Sequence, residues 1–549
     1  MINPIFSSVY YFPFLVLTFL FAFLSFNPFK RINIKINRND IVIFSFITFL
    51  CIRKIYYSPF PISFSDFYLP ILYFLIYFLS KVLYDNKTFT QKYIFYFLAI
   101  IALFEIIIGY SQYFGWQSNN IFFKVTGSFN TPAIFTNYLC LNIPILLSLY
   151  QITINKIVRK CFLLIICLII VLCFLTDSKL SWLIIIIFSF LLFLFKKNWI
   201  TKAIRMYALI GLAILLPIVA ILIYKQDSTS GRFFVWTNCY QLFLDNPLWG
   251  IGSGMFERYY NYEQAKFLFE NPDSKYLLLS SHITTPYSEY ILFILEGGII
   301  AITLIIALSI YTYKSKLLTF NRCELQVAIY MFLFMALFSF PFQSSSTCSL
   351  FFIFLGFLSA KSKPIILASF RSRLYICISL LLLYIPLSTL VFNIYNSISK
   401  WNHIVNNYHH MDVKEIEKNY YEISTPIKNI DDFKIDIAGL FYTVGKYENT
   451  ISILEELSQS SSRGDIFMML GQCYEQNKNN VKAEQYYRKG CYLLPNLLRP
   501  KFILMQFYIS NNRITEAKKE AEQIVLTPIK IENQDSKDIV RYAKEFLND

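Results

Sequence analysis

The sequence predicts an all-α protein: a polytopic bundle of about twelve membrane-spanning helices, followed by a helical tail that stands outside the membrane. Three observations carry that prediction. The 549 residues are 56% hydrophobic and 15% charged, too apolar for a soluble chain and too long for one domain. Apolar runs near the ~20 residues that a helix needs to cross the hydrocarbon recur as far as about residue 394. From Tyr395 onward those runs stop, and helical periodicity with polar faces replaces them. Charge divides at the same place, with 30 Lys and Arg against 14 Asp and Glu before it and 20 against 21 after it. Two domains follow, a membrane domain over 1–394 and a helical domain over 395–549.

The spans are expected at about 8–26, 40–57, 67–83, 93–114, 132–153, 161–176, 180–196, 204–224, 287–310, 325–343, 347–360 and 373–394. The first run, Val9 to Phe26, has neither a basic leader nor a small-residue cleavage site, so it reads as a retained span. Pro132 suits the first turn of the fifth span, where a missing N–H costs nothing. Asn137 lies inside that span and needs a partner or a cavity. Basic residues concentrate in alternate links: Lys30, Arg31, Lys35 and Arg38 in the first, Lys81 and Lys87 in the third, Lys361, Lys363, Arg371 and Arg373 in the eleventh. Those links read as cytoplasmic, which leaves both termini, the 225–286 loop and the whole tail on the other side. The same clustering between apolar runs points away from nucleic acid as a partner.

In the tail, Tyr442, Tyr474 and Tyr508 are 32 and 34 residues apart, Ala483 and Ala517 are 34 apart, and Pro495 and Pro528 are 33 apart. This pattern resembles tetratricopeptide repeats over roughly 433–528, a solenoid whose concave face would suit a protein partner.

Chemistry points to the long link. A stretch of some 60 residues between spans, with its own Gly, Arg, Trp and His, needs a reason to exist. Gly231-Arg232 offers a planar fork of donors suited to pyrophosphate, and in Gly250-x-Gly252-x-Gly254 the glycines allow backbone N–H groups close to an anion. No Gly-Lys-Ser/Thr follows, so this is not a nucleotide loop. Lys179, in the tight turn Thr176-Asp177-Ser178-Lys179, is either a second cation for the anion or a lysine reaching the interface. On the acceptor side stand His282, the only histidine before residue 395, and then Tyr287 and Glu289. Eleven scattered cysteines show no metal-ligand spacing, so neither a metal nor a cofactor is expected.

Read in order, Gly109-x-x-Gln112-x-x-Gly115, Gly127-x-Phe129-x-x-Pro132-x-x-Phe135-x-x-Tyr138-Leu139, Gly231-Arg232-x-x-x-Trp236, Asn246-Pro247-x-x-Gly250-x-Gly252 and Glu296-x-Gly298 resemble the O-antigen ligase and O-antigen polymerase family over about 95–360. That family also includes bacterial protein O-oligosaccharyltransferases. The resemblance implies a multi-pass enzyme of the bacterial inner membrane with a large periplasmic loop. It would transfer a glycan from undecaprenyl pyrophosphate to an acceptor hydroxyl on lipid A core, a growing glycan or a protein, without nucleotide or required metal. By the same resemblance Arg232 and Lys179, with Gly252 and Gly254, would hold the pyrophosphate, and His282, Tyr287 or Glu289 would serve the acceptor. A carrier or flippase for lipid-linked sugar and a membrane scaffold are the alternatives outside enzymes. The chain departs from the family pattern twice. Lys179 stands where an Arg is usual, and Tyr287-Ser288 stands where a His-Asn pair is usual, with His282 five residues earlier.

Overall fold

The computed structural model describes residues 4–25, 32–57, 67–85, 88–116, 123–129, 131–176, 178–196, 226–272, 274–314, 321–360, 362, 364–370, 373–427, 430–529 and 532–548. The membrane half opens with α1 (Pro4–Ser25), α2 (Arg38–Tyr57), α3 (Tyr68–Asp85), α4 (Thr88–Tyr113), α5 (Pro132–Ile152), α6 (Lys156–Leu175) and α7 (Lys179–Lys196). The expected eighth span, 204–224, lies outside the described residues. The long link folds into α8 (Gln226–Asp245) and α9 (Phe256–Glu270), so it is a helical module and not an irregular loop. The bundle resumes with α10 (Glu289–Lys314), α11 (Asn321–Phe338), α12 (Ser345–Ala360) and α13 (Leu374–Asn407). Among the described residues, five helices are long and apolar enough to cross a membrane, and five shorter apolar helices accompany them.

Position in the bundle follows from sequence character. Every residue of α12 is buried, as suits a helix built only of apolar and small hydroxyl residues. It packs against α3 through Gly356, where an added Cβ would come within 2.6 Å of the Tyr77 carbonyl oxygen. Phe351 stacks on Phe332 of α11, centroids 4.2 Å apart. The expected tenth span, 325–343, ends early. Helix α11 stops at Phe338, and 339–344 leaves the helix through Pro341, which has no N–H to continue it.

At one end the bundle is tied by a small sheet. Strand β1 (Ile32–Ile36) pairs antiparallel with β2 (Ile366–Phe370), Ile34 opposite Ala368. The alternation Ile32-x-Ile34-x-Ile36 carries the period of two that a strand requires. Beside the sheet, Asp40 takes an ion pair from Lys81 and a hydrogen bond from Tyr77, while Asn37 Nδ2 donates to the Ser359 carbonyl oxygen at 2.7 Å. The first and eleventh links therefore meet beside the end of α3.

At the opposite end α13 continues out of the bundle. The apolar core of the membrane half runs to Val391 and the core of the tail begins at Ile394, both on this unbroken helix. The tail comprises α14 (Val413–Ile427), α15 (Asp431–Thr443), α16 (Tyr447–Leu457), α17 (Gly464–Gln476), α18 (Asn480–Leu493), α19 (Leu498–Ser510), α20 (Ile514–Leu526) and α21 (Gln534–Asn548). Helices α15 to α20 form three hairpins, starting at Asp431, Gly464 and Leu498. Each hairpin turns through a left-handed residue, Gly445, Lys478 and Asn512, with φ of 76°, 59° and 58°. The next N–H reaches back to close the helix end: Lys446 N to Phe441 O at 2.8 Å, Asn479 N to Tyr474 O at 2.8 Å and Arg513 N to Tyr508 O at 2.9 Å. One turn chemistry, repeated at 33 and 34 residues, sets the hairpins in register.

Candidate functional site

Helix α8 places Arg232 and Trp236 four residues apart, hence on one face. A second face, Val235, Cys239 and Leu242, packs with Ile251, Phe256, Tyr260, Ile283 and Leu295 into a small separate core. Phe234 stacks on Tyr276, centroids 4.6 Å apart and planes 6° from parallel. This core holds α8 against the segment 275–287. Trp236 Nε1 donates to the Pro286 carbonyl oxygen at 2.9 Å, and the Arg232 guanidinium carbon lies 5.2 Å from the centre of the Tyr287 ring. Tyr287 itself has φ of 58°, a left-handed conformation that costs a non-glycine residue roughly 1–3 kcal/mol and persists only where its surroundings enforce it.

Between α8, α9 and this segment lies a cavity of about 690 Å³, lined among others by Arg232, Gln264, Lys275, Ser281 and Tyr287. Among the described residues that line it, two are cations and none is a carboxylate. Lys275 was not anticipated from the sequence; its one signal was being a basic residue in a link whose charge does not serve orientation.

The glycines do other work. Gly250, Gly252 and Gly254 all have positive φ, as does Gly298, where α10 is kinked. An added Cβ at Gly250 would come within 2.3 Å of the Leu295 carbonyl oxygen, and one at Gly298 within 2.2 Å of the Leu248 carbonyl oxygen. Two backbones thus touch here, and only glycine permits it. Ile251 N donates to Leu295 O at 2.7 Å, Gly252 N to Glu296 O at 3.2 Å, Ile299 N to Pro247 O at 3.0 Å, and Gly254 N to Glu296 Oε1 at 3.0 Å. The amides of Gly252 and Gly254, expected to face an anion, are turned to Glu296 instead. The physical reason is the kink: it exposes carbonyls of α10 that the loop satisfies. Likewise Gln112 holds the turn at Gly127, accepting from Thr126 N at 2.9 Å and Gly127 N at 2.8 Å, so these motif residues brace the bundle end.

The acceptor-side candidates are separated. Tyr287 shares the cavity with Arg232. Glu289 is buried on the far side, accepting from Phe342 N at 3.1 Å, and with Glu296 and Lys54 it lines a second, mostly apolar cavity of about 420 Å³. His282 turns away from both, its Nε2 3.2 Å from Glu257 Oε1 but poorly aligned for a hydrogen bond. Burial alone would raise the Glu257 carboxyl, but His282, Ser461 and the Arg463 charge hold it below the usual carboxylate range. Lys179 opens α7, and its side chain lies outside the described residues. Asn137 finds its partner across the bundle, donating to Ser339 Oγ at 3.1 Å.

Fold and cavity together define a helical membrane protein with a cationic site on a folded module at one end of its bundle. Residues 163–306 match the family model described as O-Antigen ligase, a stretch that runs from α6 through the whole cavity into α10. Over that stretch the chain is similar to the O-antigen ligase family, which supports a ligase-type, glycan-transferring membrane enzyme. Helices α1 to α5 and the tail lie outside the match. No curated protein matches the chain.

Proposed function

We propose that the protein transfers a glycan from undecaprenyl pyrophosphate to an acceptor hydroxyl in the Arg232 cavity, on the periplasmic side of a bacterial inner membrane. The observation that carries this reading is the match over 163–306, whose stretch contains Arg232 and every other residue named for that cavity. Arg232 and Lys275 supply positive charge where the pyrophosphate would sit, and a guanidinium can grip two phosphate oxygens at once. The acceptor oxygen attacks the anomeric carbon, the bond from that carbon to pyrophosphate breaks, and the leaving group departs with the electron pair. Arg232 stabilises the charge that develops on it. The acceptor proton passes to the departing pyrophosphate, and Tyr287, which shares the cavity with Arg232, is the candidate on the 281–289 segment to orient the acceptor hydroxyl. Gly252 and Gly254 are bonded to Glu296, which lines the second cavity, and Lys179 heads the helix beside the turn at Ser178. We read the three tail hairpins as tetratricopeptide-like repeats that offer a concave face to a protein partner.

The test is glycan analysis of a strain lacking the protein, with lipopolysaccharide, capsule and glycoprotein separated. One fraction should lose its glycan and accumulate the lipid-linked donor, and that fraction names the acceptor. Unchanged profiles in all three would refute transfer. A reporter active only in the cytoplasm, fused after Asp549, should stay silent; activity there would overturn the periplasmic placement.

A further inference from the structure

The strap 280–287 forms one wall of the Arg232 cavity and is pinned along its length. Trp236 of α8 holds Pro286. From α9, Gln264 Nε2 donates to Ser281 O at 3.0 Å, while Asn261 accepts from Ile283 N at 3.0 Å and donates to Ile283 O at 2.9 Å. The remaining pins come from the tail. Asn496 Nδ2 donates to Ser280 O at 3.0 Å, and Asn261 Nδ2 lies 3.0 Å from Ser462 Oγ, which itself donates to the Glu257 carbonyl oxygen at 2.9 Å. Ser461 Oγ donates to Glu257 Oε1 at 2.9 Å. Asn261, Ser461 and Ser462 are all at most 2% exposed, and Ala265 of α9 belongs to the apolar core of the tail.

We propose that the helical tail is a positioning element for the Arg232 cavity, acting through Asn261 as the positioning residue between Ser462 and the strap. Three features converge on this. A buried carboxamide whose oxygen and nitrogen both bind one residue of the strap fixes that residue in two directions. Its amide is shared with Ser462, so the strap and the tail settle together. At the far end of the strap Tyr287 sits in a conformation that needs enforcement, with its ring beneath Arg232. Without the outer pins the strap gains freedom, Tyr287 leaves its left-handed conformation, and the two sides of the cavity lose their alignment. A ligand that shifts the tail would act on the cavity by the same route. The proposal rests on the reading of that cavity as the transfer site.

The experiment compares full-length protein in lipid nanodiscs, followed by hydrogen exchange, with glycan transfer in cells carrying the same variants. The key variant is Ser462→Ala with Asn496→Ala, which removes three outer contacts and touches nothing in the cavity. Exchange across 280–287 should rise about tenfold while α8 and the bundle keep their protection, and transfer should fall about tenfold. Ser462→Thr, which keeps the hydroxyl, should retain transfer when made alone, a rescue that a bulk loss of folding would not give. Asn261→Asp, which keeps the oxygen facing Ile283 N and loses the donors, should show both effects as well. Wild-type exchange in the double variant, or raised exchange with full transfer, would overturn the proposal. Arg232→Ala, run alongside, separates the two readings: full transfer there would sink the site assignment, while the exchange result still decides whether the tail pins the strap.

Discussion

The two ends of the bundle each gather charge, tyrosine and backbone around a cation, and they use them oppositely. At the end tied by β1 and β2, Lys81 is almost wholly buried and spent on Asp40, with Tyr77, Asn37 and Ser359 completing a closed cluster. At the other end Arg232 is half-buried, lies over Tyr287 and faces a cavity of about 690 Å³. A buried cation beside a carboxylate is bound to its own fold, whereas a cation at a cavity wall also faces whatever enters the cavity. A cation is thus informative about function only together with what else lines its surroundings.

That contrast is broken most directly by removing each cation. Lys81→Ala leaves the half-buried Asp40 without its ion pair and should destabilise the folded protein by about 3 kcal/mol, read as lost yield and a lower melting temperature. Arg232→Ala should leave melting nearly unchanged and abolish transfer, a loss on the order of 3 kcal/mol in the transition state. Arg232→Lys should restore only part of it, because an ammonium lacks the paired donors. Equal melting losses at both positions would erase the distinction between the ends.

Within the cavity end, Tyr287→Phe keeps the ring under Arg232 and removes the hydroxyl, so transfer should fall about 10²-fold if that hydroxyl serves the acceptor. His282→Ala should lose far less, since its ring points to Glu257. The reverse order, measured as turnover of purified protein, would return the acceptor role to His282. The smallest effect concerns Glu257. Its carboxyl titrates below its usual value of 4.5, so its contribution to stability is complete above that pH and is lost as pH falls below it through the depressed value. Contacts between α9 and the tail should therefore loosen only in acid, seen as exchange rising first at 280–287. Loosening on going from pH 7 to pH 9 would contradict that assignment.

Composition and apolar run length determined by themselves that this chain is a helical membrane protein with a polar helical tail, because burial in hydrocarbon leaves little freedom in residue choice. Repeat spacing placed the hairpins, since each turn reuses one left-handed position. Gly231-Arg232-x-x-x-Trp236 drew attention to Arg232 for its fork of donors, but read as part of a loop; that it lies on a helix, one turn before Trp236, came from the structure. Only the tertiary structure decided the rest. It showed that Gly250 and Gly252 serve a backbone contact with α10 beside the kink at Gly298, a partner more than forty residues away. It separated His282, Tyr287 and Glu289, neighbours in sequence, onto the tail interface and two different cavities, the chain bending at the left-handed Tyr287 just before α10 begins. It brought Lys275 to Arg232 and Asn261 to Ser462 through contacts that no local pattern encodes: a hydrogen bond across the fold depends on where two segments dock, and docking is fixed by the whole core.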